Sequence, residues 1–327
     1  MKIFKSILLS FLAIILFLVS VATGYAGYKF SSMTTSISKN YDDLGIDSDT
    51  LAELEELKLK NNFNSDEIVN IALFGIDSRS TTSSSNSRSD SIMIVSIDKK
   101  HNKIKISSIM RDTYSYISGR GYDKINHAYA FGGPELAIKT INQNFGLDIQ
   151  DYVTVDFFGL EEIIDAIGGV EVEVKSNEIN ELNKYIKEVA NIENKTPTLI
   201  TQSGLQKLNG MQAVSYGRIR KVGNGDYERT DRQRAIIISM INSLQKLGLN
   251  KTLKIASQCV SYVNTSFTMA EAVKIGTDIL QDMSSFTIEQ QRFPVNGEGK
   301  TINGVWYMVS DLDDEKSLLH QFIYENN

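Results

Sequence analysis

Thiols are almost missing from this 327-residue chain, in which Cys259 is the one cysteine. A single thiol excludes an internal disulfide and a cysteine-rich metal site. Its setting, Ile255-Ala-Ser-Gln-Cys-Val260, marks it as a small buried hydrophobe. Histidine is nearly as scarce: His101, His127 and His320 are far apart and form no HExxH pair, which argues against zinc chemistry. An excess of positive charge is also lacking. The net charge is -6, and -8 (-6 - 2) without Lys2 and Lys5, the wrong sign for a surface that follows nucleic-acid phosphates. No nucleic-acid partner is therefore expected. No internal repeat is present, and with 42% hydrophobic residues the chain has the material for a real core.

The one long apolar run spans 7–28, enough to cross a bilayer and longer than the roughly 7–15 residues of a secretory h-region. Lys2 and Lys5 precede it, so the positive-inside tendency predicts a cytoplasmic N-terminus (1–6), a single-pass membrane anchor (7–28) and an extracellular remainder. The alternative is a cleaved signal peptide, for which Gly24-Tyr-Ala26 is a poor site. An oxidising outer compartment is compatible with a chain that has no thiol pair to bridge. Residues 29–66 read as a polar linker with a capped helix starting at Ser48, and 67–327 as one folded domain.

Within that domain, strands are predicted over 68–75, 91–98 and 103–110, the last two joined as a hairpin by Lys99-Lys-His-Asn102. A helix starts at Gly133-Pro134 and stops at Gly146. A strand over 152–156, a short helix over 160–167 and a strand over 170–174 follow, while 178–201 reads as a polar surface excursion. Further helices are expected over 251–261, 269–283 and 315–324, with strands over 286–295 and 306–310. This alternation predicts an α/β fold: a layered α-β-α domain around a mixed, partly antiparallel sheet, preceded by the N-terminal transmembrane helix.

Two clusters carry chemistry. If the first three strands form a meander, Asp77, Asp90, Arg111 and Asp112 lie at strand ends on one rim of the sheet. Two carboxylates there suit a hard cation such as magnesium, which takes one or two protein carboxylates plus phosphate oxygens; ordinary turn and cap roles are the alternative. The second cluster is Tyr216-Gly-Arg-Ile-Arg-Lys-Val-Gly-Asn-Gly-Asp-Tyr-Glu-Arg-Thr-Asp-Arg-Gln-Arg234, which holds five of the ten arginines. A turn at Val222-Gly-Asn-Gly225 leads into a helix predicted from about 226 to 247. Arg229 and Gln233 are an i,i+4 pair on its first turns. Planar guanidiniums crowded at a helix N-terminus, where the macrodipole favours anions, point to a polyphosphate site; a solvated basic face is the alternative.

Taken together, Gly75-Ile-Asp-Ser-Arg79, Arg88-Ser-Asp90, Ser107-Ser-Ile-Met-Arg-Asp112, Asp123-Lys-Ile-Asn-His-Ala-Tyr-Ala130, Asp165-Ala-Ile-Gly-Gly-Val170 and Tyr216-Gly-Arg-Ile-Arg220 with Arg229 and Gln233 resemble the LytR-CpsA-Psr family. The resemblance implies a membrane-anchored phosphotransferase. Such an enzyme moves a glycopolymer from an undecaprenyl-pyrophosphate carrier to a peptidoglycan sugar hydroxyl, forming a phosphodiester. It further implies Mg2+ held by Asp77 and Asp90, and a pyrophosphate held by Arg79, Arg88, Arg111, Arg218, Arg220, Arg229 and Gln233, with Arg232 as the alternative to Arg229. Asp90, Arg111, Arg218 and Arg220 are the residues expected at the reacting centre, with Asp90 ahead of Asp112 as base. Water in place of the sugar hydroxyl would make the protein a lipid-pyrophosphate phosphatase, and a third reading is a non-catalytic envelope regulator.

Overall fold

Three β-branched runs separated by polar turns begin the sheet. The computed structural model describes residues 34–64, 67–76, 87–247, 251, 254–255, 258–268, 271 and 286–325. In chain order the elements are α1 (Ser48–Lys60), β1 (Ile68–Ile76), β2 (Ser89–Asp98), β3 (Lys103–Ile109), β4 (Tyr114–Ile117), β5 (Gly121–Lys124), α2 (His127–Phe145) and β6 (Asp151–Asp156). There follow α3 (Phe157–Ala166), β7 (Val170–Val174), α4 (Ile179–Glu193), β8 (Gly204–Leu208), α5 (Gly210–Tyr216) and α6 (Asp226–Leu247). Last come β9 (Val263–Thr265), β10 (Thr287–Phe293), β11 (Glu298–Ile302), β12 (Val305–Val309) and α7 (Leu312–Tyr324). The chain divides into two compact units, one made of Thr34–Asp156, Asn264–Phe267 and Thr287–Asn327, the other including Phe157–Val263.

The first unit holds a mixed six-stranded sheet in the order β10-β3-β2-β1-β6-β9. Strands β1, β2 and β3 form the expected antiparallel meander, while β6 joins β1 and β10 joins β3 in parallel. Alternate positions of β1 and β2 feed one core: Ala72, Phe74, Ile92 and Ile94 pack with Ile138, Ile141 and Phe145 of α2 and Leu319 and Ile323 of α7 in a single buried cluster. Gly146 ends α2 in the left-handed conformation (φ 58°), as its sequence position predicts, and Gly132 and Gly133 break the helix before Pro134. The turn preceding that break, from His127, is helical as well, which the sequence reading left out.

Within β3 a charged side chain, Lys105, is fully buried. Its ammonium donates to Ile323 O and Glu325 O, both at 2.9 Å, so it serves the open carbonyls at the end of α7. The strand expected over 306–310 is present as β12. That strand does not prolong the main sheet; β12 pairs with β11 in a separate ribbon, because Asn303 and Gly304, both at positive φ, turn the chain straight back.

In the second unit, α3 and α4 pack on α5, and α6 packs on β7. Strand β7 pairs with β8 in an antiparallel ribbon. The surface excursion expected over 178–201 is instead the helix α4, which buries Leu182, Ile186, Val189 and Ala190. Their spacing of four and three is a helical stripe that the surrounding Glu, Lys and Asn residues disguise. The anchor expected over 7–28 lies outside the described residues, as does all of 269–283 except 271, whereas 251, 254, 255, 258 and 259 of the helix expected over 251–261 are helical and 252–253 and 256–257 lie outside. Among the described residues, no helix is long and apolar enough to cross a membrane.

Candidate functional site

The rim of the meander is built by strand register. Gly75 lies opposite Ser91 and Ile92 opposite Ile109, which brings the start of β2 beside the end of β3. Arg111 Nη1 reaches Asp90 Oδ1 at 2.7 Å and its Nε reaches Asp112 Oδ2 at 3.2 Å. Lys124 Nζ meets the other oxygen of Asp112 at 2.6 Å. Asp112 is buried and is compensated by two cations; Asp90 and Arg111 are partly buried. Arg88 is exposed at the entry to β2. Asp77 and Arg79 lie outside the described residues, and among the described residues no group of three or more His, Cys, Asp or Glu could hold a metal.

The Asp123-to-Ala130 stretch locks onto this rim. Asn126 N–H donates to Arg111 O at 3.2 Å and Ile125 N–H to Thr113 O at 2.9 Å. Asp123 Oδ2 pairs with His127 Nδ1 at 2.7 Å while its Oδ1 accepts from Lys124 N–H at 2.7 Å. Burial works to raise the Asp123 pKa, but these hydrogen bonds outweigh it and hold the carboxyl below its ordinary range. Lys124 was not among the expected site residues, although it sits inside a motif that pointed here.

In the second unit the arginine stretch folds as its sequence predicts. Gly223 and Gly225 turn at φ +70° and +64°, and α6 begins at Asp226. A side chain at Gly223 would run into the Glu228 carboxylate, 2.1 Å from the added Cβ. Asp226 and Glu228 occupy the first turn, which offsets the cost of the cations gathered there. Asp226 Oδ1 lies 3.1 Å from Arg229 Nε and 3.6 Å from Arg220 Nε. Gln233 Nε2 points at Gly217 O, 3.4 Å away. Arg229 and Gln233 thus flank the turn that carries Arg218 and Arg220.

Arg218 is held by residues the sequence reading missed. Its guanidinium lies over Phe157 and Tyr185, 5.6 and 5.1 Å from the ring centroids, and its Nη2 meets Glu188 at 2.9 Å. Tyr185 and Glu188 are three apart on α4, a signal visible only once that helix is recognised. Arg232 differs: it is buried, with Nε on Glu178 at 2.8 Å, Nη2 on Glu228 at 2.8 Å and Nη1 on Ile219 O at 3.0 Å. The Asp165-to-Val170 motif is structural, since Asp165 Oδ1 accepts from Gly210 N–H at 2.6 Å and ties α3 to α5.

A buried acid stands beside that tie. Glu161 is 3% exposed, with Oε1 on Lys195 at 2.8 Å and its other oxygen, Oε2, buried. Burial pushes its pKa up to about 7, ahead of the opposing effect of Lys195; the half-exposed ammonium is in turn raised by Glu161 and Glu193.

Comparison with known proteins shows what the whole chain is similar to. A polyisoprenyl-teichoic acid–peptidoglycan teichoic acid transferase, TagU of Oceanobacillus iheyensis, is 31% identical over 307 residues, covering 91% of this chain and 88% of the relative. TagT of Bacillus subtilis, solved bound to LI-WTA, superposes with a TM-score of 0.62 at 25% identity, over 79% of this chain and 91% of that one. The same protein, YwtF, solved with bound octaprenyl pyrophosphate lipid, shares the fold with a TM-score of 0.58 at 24% identity, over the same shares of each chain. The LytR_cpsA_psr family model matches residues 28–322, and the chain belongs to that family.

Proposed function

We propose that the protein is a phosphotransferase that moves a glycopolymer from a polyprenyl-pyrophosphate carrier onto a peptidoglycan sugar hydroxyl through a phosphodiester. The observation that carries this reading is membership, over residues 28–322, in a family whose relative at 31% identity is named a teichoic acid–peptidoglycan transferase. In the reaction the acceptor oxygen bonds to the glycan-bearing phosphorus, and the bond from that phosphorus to the bridging oxygen breaks. Polyprenyl phosphate leaves and the hydroxyl proton passes to a carboxylate.

The residues take the following roles. Arg79, Arg88, Arg111, Arg218, Arg220 and Arg229 bind phosphate oxygens, and Gln233 donates beside them. Arg218 is the leading candidate, since its guanidinium is braced over two rings and its partner Glu188 is 41% exposed, a carboxylate that an arriving phosphate can displace. Asp90 takes the proton. Asp112, with Arg111 and Lys124 both upon it, has the part of holding those two cations. Carboxylates at the rim are hard oxygen donors that suit Mg2+, with Asp77 and Asp90 as its ligands. When bound, that ion neutralises phosphate charge. On this reading the protein works at the outer face of the cell membrane, anchored by 7–28.

The test uses the purified full chain with magnesium, a polyprenyl-pyrophosphate oligosaccharide and short peptidoglycan oligomers, with products read by mass spectrometry. The expected product is a glycan joined to peptidoglycan through one phosphate. Free sugar phosphate without a conjugate would replace this reading with the hydrolase, and no product would leave a binding role.

A further inference from the structure

Tyrosines are gathered on a small surface to which the proposed reaction assigns no part. In the β4–β5 hairpin, Tyr114 pairs with Lys124 and Tyr116 with Tyr122, so these four side chains share one face. Ser115 and Ile117, on either side of Tyr116 in sequence, are buried. Tyr114 and Tyr122 stack with centroids 5.3 Å apart, Tyr116 meets Tyr122 edge-on at 5.6 Å, and Tyr307 of β12 meets Tyr114 at 4.9 Å. The platform is open, with Tyr122 62% and Tyr116 44% exposed. It is also rigid: Asn144 of α2 accepts from Tyr116 N–H at 3.0 Å and donates to Tyr116 O at 2.8 Å.

The chemistry of this surface selects its occupant. An oily partner calls for aliphatic side chains, whereas this face presents phenols, each with a hydroxyl, and an ammonium group. A pyranose ring has the matching character, with C–H bonds on one face to meet the negative face of an aromatic ring and hydroxyls around its edge. The platform is also continuous with the rim. Lys124 Nζ lies 5.8 Å from the Tyr307 ring and 2.6 Å from Asp112, which holds Arg111, which holds Asp90. A sugar strand laid on the tyrosines therefore runs by contact toward the proposed proton acceptor.

We propose that the outer face of the β4–β5 hairpin, completed by Tyr307, is the docking subsite for the acceptor glycan strand, an inference that rests on the transferase reading. Because the rings are already packed in place, little conformational freedom is lost on binding. The subsite sets affinity for the acceptor and does not touch the pyrophosphate.

The test is calorimetric titration of the full chain with soluble N-acetylglucosamine–N-acetylmuramic acid oligomers, without donor. Tyr122→Ala and Tyr116→Ala are expected to raise Kd about tenfold, the loss of one good stacking contact. Tyr122→Phe, which keeps the ring, is expected to stay within about twofold of wild type on the same reasoning. Failure of the wild type to bind, or unchanged affinity in both alanine variants, overturns the proposal. So does loss of binding to anionic phospholipid vesicles in Tyr122→Ala with the oligomer titration unchanged, which assigns the face to a lipid surface. The transferase reading fails separately: a chain that makes no conjugate yet loses oligomer binding in Tyr122→Ala keeps the subsite, and an active chain whose acceptor KM is unmoved by that variant loses it.

Discussion

The turn carrying Arg218 and the first helical turns carrying Arg232 hold the same guanidinium in opposite ways. Arg232 is 3% exposed and donates to Glu178, Glu228 and Ile219 O, with Glu178 itself buried. Arg218 rests on two ring faces and meets one carboxylate that faces water. A guanidinium saturated by fixed acceptors is part of the framework, because releasing it strands buried charge. One held by rings and a single wet partner can exchange that partner for a ligand. Residue type does not separate the two; the partners do.

Breaking the buried member is the largest test of that contrast. Arg232→Ala leaves Glu178 buried without its partner and is expected to cost about 3–5 kcal/mol, measured as a lowered urea midpoint. Arg218→Ala is expected to leave that midpoint nearly unchanged while turnover falls about 10²–10³-fold, the usual result of removing one charge-stabilising donor. Equal stability losses in the two variants would erase the distinction.

Smaller effects sharpen it. Glu161 is raised from 4.5 to about 7 by burial. Between those values the folded chain keeps a proton that the unfolded chain has released, so stability falls as pH rises through the window. Glu161→Gln should remove that slope, seen as urea midpoints that no longer drop between about pH 5 and about pH 8. Smallest is Asn209→Ala, which deletes the side-chain cap on Gln212 N–H and is expected to cost about 1 kcal/mol in thermal unfolding without changing turnover.

Much of the first unit was legible because its information is local. Apolar runs and the Lys99-to-Asn102 turn fix the meander, and the meander places Asp90, Arg111 and Asp112 on one rim. The Gly-rich turn and the start of α6 were legible for the same reason, since Gly223 and Gly225 answer to backbone geometry alone. Helix α4 was not, as its apolar stripe is thin and its flanks are polar. With α4 overlooked, Tyr185 and Glu188 could not be found as the partners of Arg218. Nor does the local sequence show that Lys105 is buried, because the end of α7, far later in the chain, supplies its acceptors.

By itself the sequence determined the mixed sheet, the charged strand ends and the concentration of arginines at a helix start, since each follows from residue spacing and turn chemistry. Tertiary structure alone decided which arginine is buried and which is reachable, which carboxylate carries two cations, and which tyrosines share an open face. Those outcomes depend on partners distant in sequence, and the free energy of a charge or a ring is set by what surrounds it.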